Sequence, residues 1–410
     1  MSNFKFIDLF AGIGGFHIAL EQLGGECVLM SEIDEQCQRV YRENFPQTQI
    51  EGDIHNLNNS NSEDPVPEHD VLCAGFPCQP FSKAGKRLGL EDTRGTLFYE
   101  IAKIIERKRP EYLMLENVPN LIGHNHGQTW LAISNVLEDL GYVFSKIPLK
   151  FSPHLLGVPQ IRERVFILAK NTIDFNHSSA CYVKRPKPAI CSIEDILQSE
   201  NEIDNIGDYS LSQDEIDRVN MWNDFINGIQ GTLPGFPVWA DQFRENYDIS
   251  EMPKWKQNFL IKNWKLYNDN KDHIDAWLAK YNNLEHLKQT HTKFEWQAND
   301  AERDLWKLIF HFRPSGMRVK KPDYFPALVA ITQTSVVGKM KRRITPREAA
   351  RLQSFPDTFE IHPIDKIAYK QFGNSVNVDV VKYLCSKLMN LPCNDFEASN
   401  SIPQTELFNQ

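Results

Sequence analysis

The chain has 410 residues, 41% of them hydrophobic and 24% charged, and a formal net charge of −9. A chain of that length buries a large core and has room for two domains, and its composition is that of a soluble globular protein. No apolar run reaches membrane length and no signal-peptide pattern opens the chain, so a membrane-spanning or secreted protein is excluded and a cytoplasmic one expected.

Over the first 170 residues short apolar runs alternate with helix-like stretches. This predicts an α/β fold of βαβ units, a mostly parallel sheet flanked by helices. Strands are expected at 5–10, 27–33, 70–75, 112–117, 143–149 and 164–169, and helices at 97–108 and 128–140. In the second helix Trp130, Ile133, Val136, Leu137 and Leu140 fall on one face. From 171 to 310 the chain turns polar and carries seven of its eight tryptophans. That region reads as a second domain or a large insertion, with its tryptophans filling a core. Regular structure resumes at 344–359, and 372–389 reads as a turn followed by a helix. The residues from about Asn394 onward are polar and expected to be disordered.

In DLFAGIGGF (8–16), Gly12, Gly14 and Gly15 stand between the first strand and the first helix. Glycines there let the backbone approach a ligand at a helix N-terminus. Taken alone, they fit a plain strand–helix turn equally well. Glu32 ends the second strand 20 residues after Gly12, the place of a carboxylate that takes ribose hydroxyls, and Asp53 would close a third side. The spacing departs from the GxGxxG of dinucleotide folds and suits a shorter adenosine cofactor such as S-adenosylmethionine.

LCAGFPCQPFSKAG (72–85) sets Cys78 between Pro77 and Pro80, directly after a strand. Most free cysteines are buried and inert, and Cys73 inside the strand fits that description. Flanking prolines fix the turn and argue that Cys78 is a presented thiol. The loop at 82–95 is polar and basic and can close over an anionic substrate. Glu116 ends another strand beside Leu115 and Val118, where a raised pKa would let it donate a proton, although taken alone a solvated strand-end acid is the better reading. Arg162 and Arg164 are expected on one face of the strand that they open, as a clamp or a phosphate contact. An edge ion pair through Glu163 is the competing reading. The eight cysteines form no CxxC pair, so free thiols and no metal site are expected. The acidic total conceals a basic run: from Phe312 to Pro346 eight positive residues face only Asp323, a net of +7 over 35 residues. A solvated surface and a phosphate-binding face both fit that run.

FIDLFAGIGGF, DVLCAGFPCQPFS, DTRGTLF, LENV, GVPQIRERVFI, TPREAARLQSFPD and AYKQFGNSV resemble, in order, the motifs of the DNA cytosine-5 methyltransferase family, above all its bacterial type II modification enzymes. The resemblance implies a Rossmann-like, S-adenosylmethionine-dependent catalytic domain over 1–170. A smaller, variable target-recognition domain would follow over 171–342, then a return segment over 343–393 that completes the cofactor pocket. It implies Cys78 as nucleophile and Glu116 as the acid that meets the cytosine ring nitrogen, with Arg162 and Arg164 supporting acid and base. Cofactor-pocket positions carried over are Phe10, Gly12, Gly14, Glu32, Ile33, Asp53, Ile54, Pro77, Leu97, Asn374, Ser375 and Val376. The implied reaction is methyl transfer to carbon 5 of a flipped-out cytosine in a specific duplex, through a covalent bond from Cys78 to carbon 6. A cognate restriction endonuclease would act on the same site without binding the enzyme, and a monomer suffices.

DNA contacts are expected from Ser82, Lys83 and Arg94 in the loop and from Arg313, Arg318, Lys320 and Lys321 in the basic run. Lysines there would position phosphates and arginines could read guanine. A tRNA cytosine-5 methyltransferase shares nearly all these motifs, but a large middle region favours duplex DNA. A silent DNA-binding relative would have no use for Cys78, Glu116, Arg162 and Arg164 together. A nicotinamide oxidoreductase fails on glycine spacing.

Overall fold

Strand β1 (Phe4–Leu9) buries Phe6, Ile7 and Leu9 on both of its faces, the mark of a strand inside a parallel sheet. A computed structural model describes residues 4–59, 64–77, 96–175, 177–244, 246–328 and 334–392. The chain divides into two units, 1–196 with 349–410, and 197–348. In the first, β1 is followed by α1 (Gly15–Glu21), β2 (Gly25–Ser31), α2 (Glu35–Asn44), β3 (Ile50–Glu51), α3 (Ile54–Asn58), β4 (Val71–Gly75), α4 (Leu97–Lys108) and β5 (Tyr112–Asn117). Then come α5 (Gln128–Asp139), β6 (Tyr142–Phe144), β7 (Leu149–Phe151), β8 (Gln160–Ile161) and β9 (Arg164–Asn171). The main sheet runs β3-β2-β1-β4-β5-β9-β6, with β7 also on β9. Pairings from β3 to β5 are parallel, whereas β9 is antiparallel to β5.

The helices follow local rules. Thr96 caps α4 by accepting from the Tyr99 N–H at 3.2 Å, and the helix ends at Arg109 in the left-handed region. Between those stops Phe98, Ile101, Ala102, Ile104 and Ile105 face the core. The strand expected over 143–149 is instead two strands, β6 and β7, both paired to β9. Pro148 lacks a donor for the ladder, and the Lys146 carbonyl accepts from Trp130 Nε1 instead.

The boundaries differ from the expected 170/171 and 342/343. Residues 171–196 are tied to the first unit by scattered side-chain bonds: His177 Nε2 to Glu111 Oε1 at 2.9 Å, and Arg351 Nη1 donating to the Ile196 carbonyl. Such anchors leave no periodicity in a polar segment. Conversely, Glu348 belongs to the second unit, where its carboxylate takes two hydrogen bonds from Arg342.

The second unit contains α6 (Gln213–Gly228), β10 (Val238–Trp239), α7 (Lys254–Asp269), α8 (Lys271–Lys280), β11 (Lys293–Gln297), β12 (Ile309–Arg313), β13 (Gly316–Lys320), β14 (Phe325–Pro326), β15 (Val336–Val337) and β16 (Arg342–Arg343). Its sheet runs β10-β11-β13-β12-β15-β16. Trp222, Trp264, Trp277 and Trp296 are buried; Trp222 stacks on Phe294 at 4.8 Å. Trp239 and Trp306 are half-buried, and Trp255 is 60% exposed. Helix α9 (Pro346–Leu352) carries the chain back, and α10 (Asp365–Asn374) and α11 (Val378–Met389) complete the first unit. The tail from 394 lies outside the described residues.

Arg342 and Glu348 have side chains 2% and 0% exposed. Glu348 also accepts from the backbone N–H groups of Thr345 and Gln198, so one carboxylate joins three segments. Glu348→Ala should therefore lower unfolding stability by about 3–5 kcal/mol, because it strands a buried guanidinium. The double change Arg342→Met with Glu348→Leu should recover most of that loss, as read from denaturant midpoints.

Candidate active site

Parallel strands place their C-terminal ends on one edge, and β9, running the other way, brings its first residue there. Glu116 at the end of β5 pairs in register with Phe166, so Arg164 at the start of β9 reaches the acid. Arg164 Nε lies 3.1 Å from Glu116 Oε1, with side chains 21% and 12% exposed. Burial raises the Glu116 carboxyl above its ordinary pKa, and Arg164, then Arg162, pull it partway back. The other oxygen, Oε2, faces Gly75 at the end of β4: a β-carbon there would stand 3.6 Å from it.

Arg162 does a different job. Strand β9 begins at Arg164, so the expected period-two pairing of the arginines on one strand does not form. Arg162 is 3% exposed and donates from Nη2 to the carbonyls of Gly373 and Ser375 at 2.9 and 2.8 Å. Its backbone N–H donates to Ser152 Oγ at 3.0 Å. Burial, with Arg164 nearby, lowers its pKa to about 9, which leaves it protonated at neutral pH.

Two residues that sequence reasoning gave no role support this edge. Asn117, 3% exposed, donates from Nδ2 to the Phe76 carbonyl at 2.8 Å and accepts from the Val118 N–H. It thereby ties the end of β5 to the segment that leads into Pro77. The only signal for it was its place beside Glu116. Ser152, fully buried, had no signal at all. Cys78, Ser82, Lys83 and Arg94 lie outside the described residues.

The glycine loop follows β1 on the same edge. Phe10, Gly12 and Gly14 all have positive φ. Nothing lies within 4 Å of where a β-carbon on Gly12 would sit, so that position opens outward. Gly14 and Gly15 answer packing instead: their β-carbons would meet the Phe45 ring at 2.5 Å and Val376 Cγ2 at 2.7 Å. The Gly12 N–H donates to Glu32 Oε2 at 2.9 Å and the Asp34 N–H to Oε1 at 2.8 Å, which fixes the carboxylate. Asp53 caps α3 and accepts from the backbone N–H of His55, whose ring also bonds it; these bonds hold its carboxyl below the ordinary range. Ile33 is 71% exposed, an apolar side chain standing in solvent beside Glu32.

The remaining carried-over positions divide by burial. Ile54 is core, and Phe10 and Leu97 pack partly against that core. Pro77 and Asn374 are exposed, while Ser375 and Val376 are buried at the return turn. An open glycine, a pinned carboxylate and an exposed aliphatic side chain fit an adenosine group: hydroxyls for Glu32, a flat ring for Ile33. Among the described residues no group of three or more His, Cys, Asp or Glu side chains could hold a metal.

In the second unit the basic run is partly neutralised. Arg342 pairs with Glu348, Arg343 with Glu215, Arg313 and Arg318 with Glu295, and Lys321 with Asp300. Five of its eight positive residues are therefore engaged by carboxylates, which leaves less free charge than the run's net +7.

Residues 4–390 match the family model described as C-5 cytosine-specific DNA methylase. The chain is 36% identical to the type II methyltransferase M.AluI of Cellulosimicrobium cellulans, covering 93% of this chain and 91% of that protein. It is 31% identical to the type II methyltransferase M.HhaI of Haemophilus parahaemolyticus, covering 94% of each. The fold is shared with the crystal structure of a putative DNA modification methyltransferase encoded within an E. coli prophage, at TM-score 0.55 and 22% identity, over 94% of this chain and 99% of that one. With matches along nearly the whole chain, the protein belongs to the C-5 cytosine-specific DNA methylase family and is a DNA cytosine-5 methyltransferase of the type II restriction-modification kind.

Proposed function

We propose that the chain methylates carbon 5 of a cytosine flipped out of a specific duplex, through a transient bond from Cys78 to carbon 6. The observation that carries this reading is the buried Glu116 carboxyl, held by Arg164 on the edge where the Phe76–Pro77 segment leads to the thiol. Carbon 5 is a poor nucleophile while the ring is delocalised. Attack by the Cys78 thiolate at carbon 6 breaks that delocalisation, and a proton from Glu116 to N3 absorbs the charge that develops. Because Arg164 engages Oε1, Oε2 is the oxygen assigned to carry that proton. Once carbon 5 has taken the methyl group, return of the N3 proton to Glu116, loss of the carbon-5 proton to solvent and departure of the thiolate restore the aromatic ring.

S-adenosylmethionine, when bound, supplies the methyl group. Glu32 would take its ribose hydroxyls, Ile33 and Phe10 its ring, and the open Gly12 its backbone contact, with Asp53 beside them. The carbon-6 face of a stacked base is closed to a side chain, so the base must leave the duplex. The 82–95 loop, with Ser82, Lys83 and Arg94, is assigned to close on it. Residues 197–348 are assigned to recognition of the DNA sequence, with Lys320 and Lys321 positioning phosphates and Arg313 and Arg318 nearest to base edges.

Transfer of labelled methyl from S-adenosylmethionine should occur to unmethylated duplex DNA, not to total tRNA, and Cys78→Ala should abolish it. Label on tRNA alone would overturn the substrate and the role of 197–348. A duplex carrying 5-fluorocytosine has no carbon-5 proton to lose, so the wild-type protein should remain bound to it through denaturing electrophoresis. Free protein in that lane would overturn the covalent step.

Replacing Arg164 with Met removes the cation that holds the Glu116 pKa down, so that pKa rises. Donation needs the protonated carboxyl, so the alkaline fall in kcat/KM should move to higher pH. The maximum should drop about 10²-fold as the acid loses its orientation. A lowered rate with an unmoved pH profile would detach Arg164 from the proton of Glu116.

A further inference from the structure

We propose that Glu295 is a specificity-determining positioning residue: its carboxylate holds Arg318 by one edge, so that the outer edge of the guanidinium is presented to a guanine of the recognition sequence. This rests on the reading that residues 197–348 recognise DNA.

Strands β11, β13 and β12 form an amphipathic patch of sheet. Phe294, Trp296, Met317, Val319 and Phe310 turn into the core of the second unit. With period two, the alternate residues share the other face. Register sets them in rows: Glu295 stands opposite Arg318, which stands opposite His311, and in the next row Gln297 stands opposite Lys320.

The Glu295 carboxylate organises three of these side chains. Oε2 accepts from Arg318 Nε at 3.0 Å and from Arg313 Nη2 at 2.6 Å, while Oε1 accepts from Gln297 Nε2. Arg313 reaches Glu295 across β13, and the residue paired with it there is Gly316, which offers no side chain to obstruct it. Gly316 has φ of 109°, and a β-carbon would stand 2.5 Å from the Lys293 backbone, so glycine is required twice over. Behind Arg318, His311 is buried against Ser335 Oγ at 2.8 Å and stays neutral, its pKa pushed down to about 3. It therefore adds no cation to the face.

Within this cluster Arg318 is the outward member, 33% exposed against 15% for Arg313 and 12% for Glu295. Its Nε is taken, which leaves the Nη1 and Nη2 end. That end is a rigid pair of donors with the spacing of guanine O6 and N7. A phosphate needs only a positive charge on a flexible stem, which Lys320 supplies. An arginine locked by a carboxylate gives up the freedom to follow a phosphate and gains selectivity for a matched pair of acceptors. Glu295, itself mostly buried, reads nothing directly; it acts through Arg318.

The test uses the full-length enzyme on genomic DNA, with bisulfite sequencing to map methylated sites. Ratios of kcat/KM for the cognate duplex over duplexes changed at one base pair accompany the map. Glu295→Gln and Arg318→Lys should each lose discrimination at the same single G·C position by about 5–150-fold, the span of one bidentate contact. Glu295→Asp should regain part of it, a rescue that a merely structural role would not confer on specificity. If Glu295→Gln melts early, Arg318→Lys decides, since it keeps the charge but cannot offer the paired donors. Relaxation by Arg318→Lys with none from Glu295→Gln would overturn the role of Glu295 while leaving DNA recognition by 197–348 in place. Unchanged maps for every variant would overturn both, and an unmethylated map for the wild type would instead refute the proposed function itself.

Discussion

The first unit is built from two stretches of chain, and its buried Arg162 is what makes them one site. From a single nitrogen it holds the carbonyls of Gly373 and Ser375, more than two hundred residues downstream. Gly373 lies in the last turn of α10 and Ser375 is its C-cap, where helix carbonyls run out of backbone donors, and the guanidinium supplies one. The turn so held packs Val376 against Gly15 at the start of α1, where even a methyl group would not fit. The glycine loop and the return segment are therefore shaped by each other, and the edge that carries Glu116 and Glu32 is complete only once residue 375 has arrived.

The same edge shows a balance of opposed electrostatic terms. A carboxyl as buried as Glu116 would be neutral if left alone; one clamped by an arginine would be firmly ionised. Glu116 has both influences, with burial the larger, so its pKa is raised while Arg164 opposes the rise. The proposed reaction asks this carboxyl to give a proton and take it back, which suits such a raised but opposed pKa. Arg164 sets it because β9 is antiparallel: only a reversed strand brings its first residue to the edge where five parallel strands end.

In the second unit the charges are arranged by pairing rather than by number. A protein with net charge −9 gains little from a diffuse field toward DNA. Four of the arginines in its basic run are engaged by carboxylates, two of them in the core or at its edge and two around Glu295. Pairing sacrifices long-range attraction and fixes orientation.

Much of the catalytic edge is legible in the residues. Glu116 at a strand end and Glu32 at its distance from Gly12 announce themselves because both stand at the ends of apolar runs, whereas Cys78 lies outside the described residues. Helix α4 is legible to its limits, since Thr96 and its buried face are local signals. The break between β6 and β7, the anchoring of 171–196 and the capture of Glu348 by Arg342 are not, because each depends on a partner far along the chain. Nor does spacing separate the two arginines of RER, of which one holds an acid and the other a turn, or show that Gly12 faces open space while Gly14 faces Phe45. The sequence by itself determined which reactive groups exist and that Glu32 and Glu116 stand where strands end. Only the tertiary structure decided which group touches which, because those contacts follow from strand direction, register and burial, and none of these is written in the order of neighbouring residues.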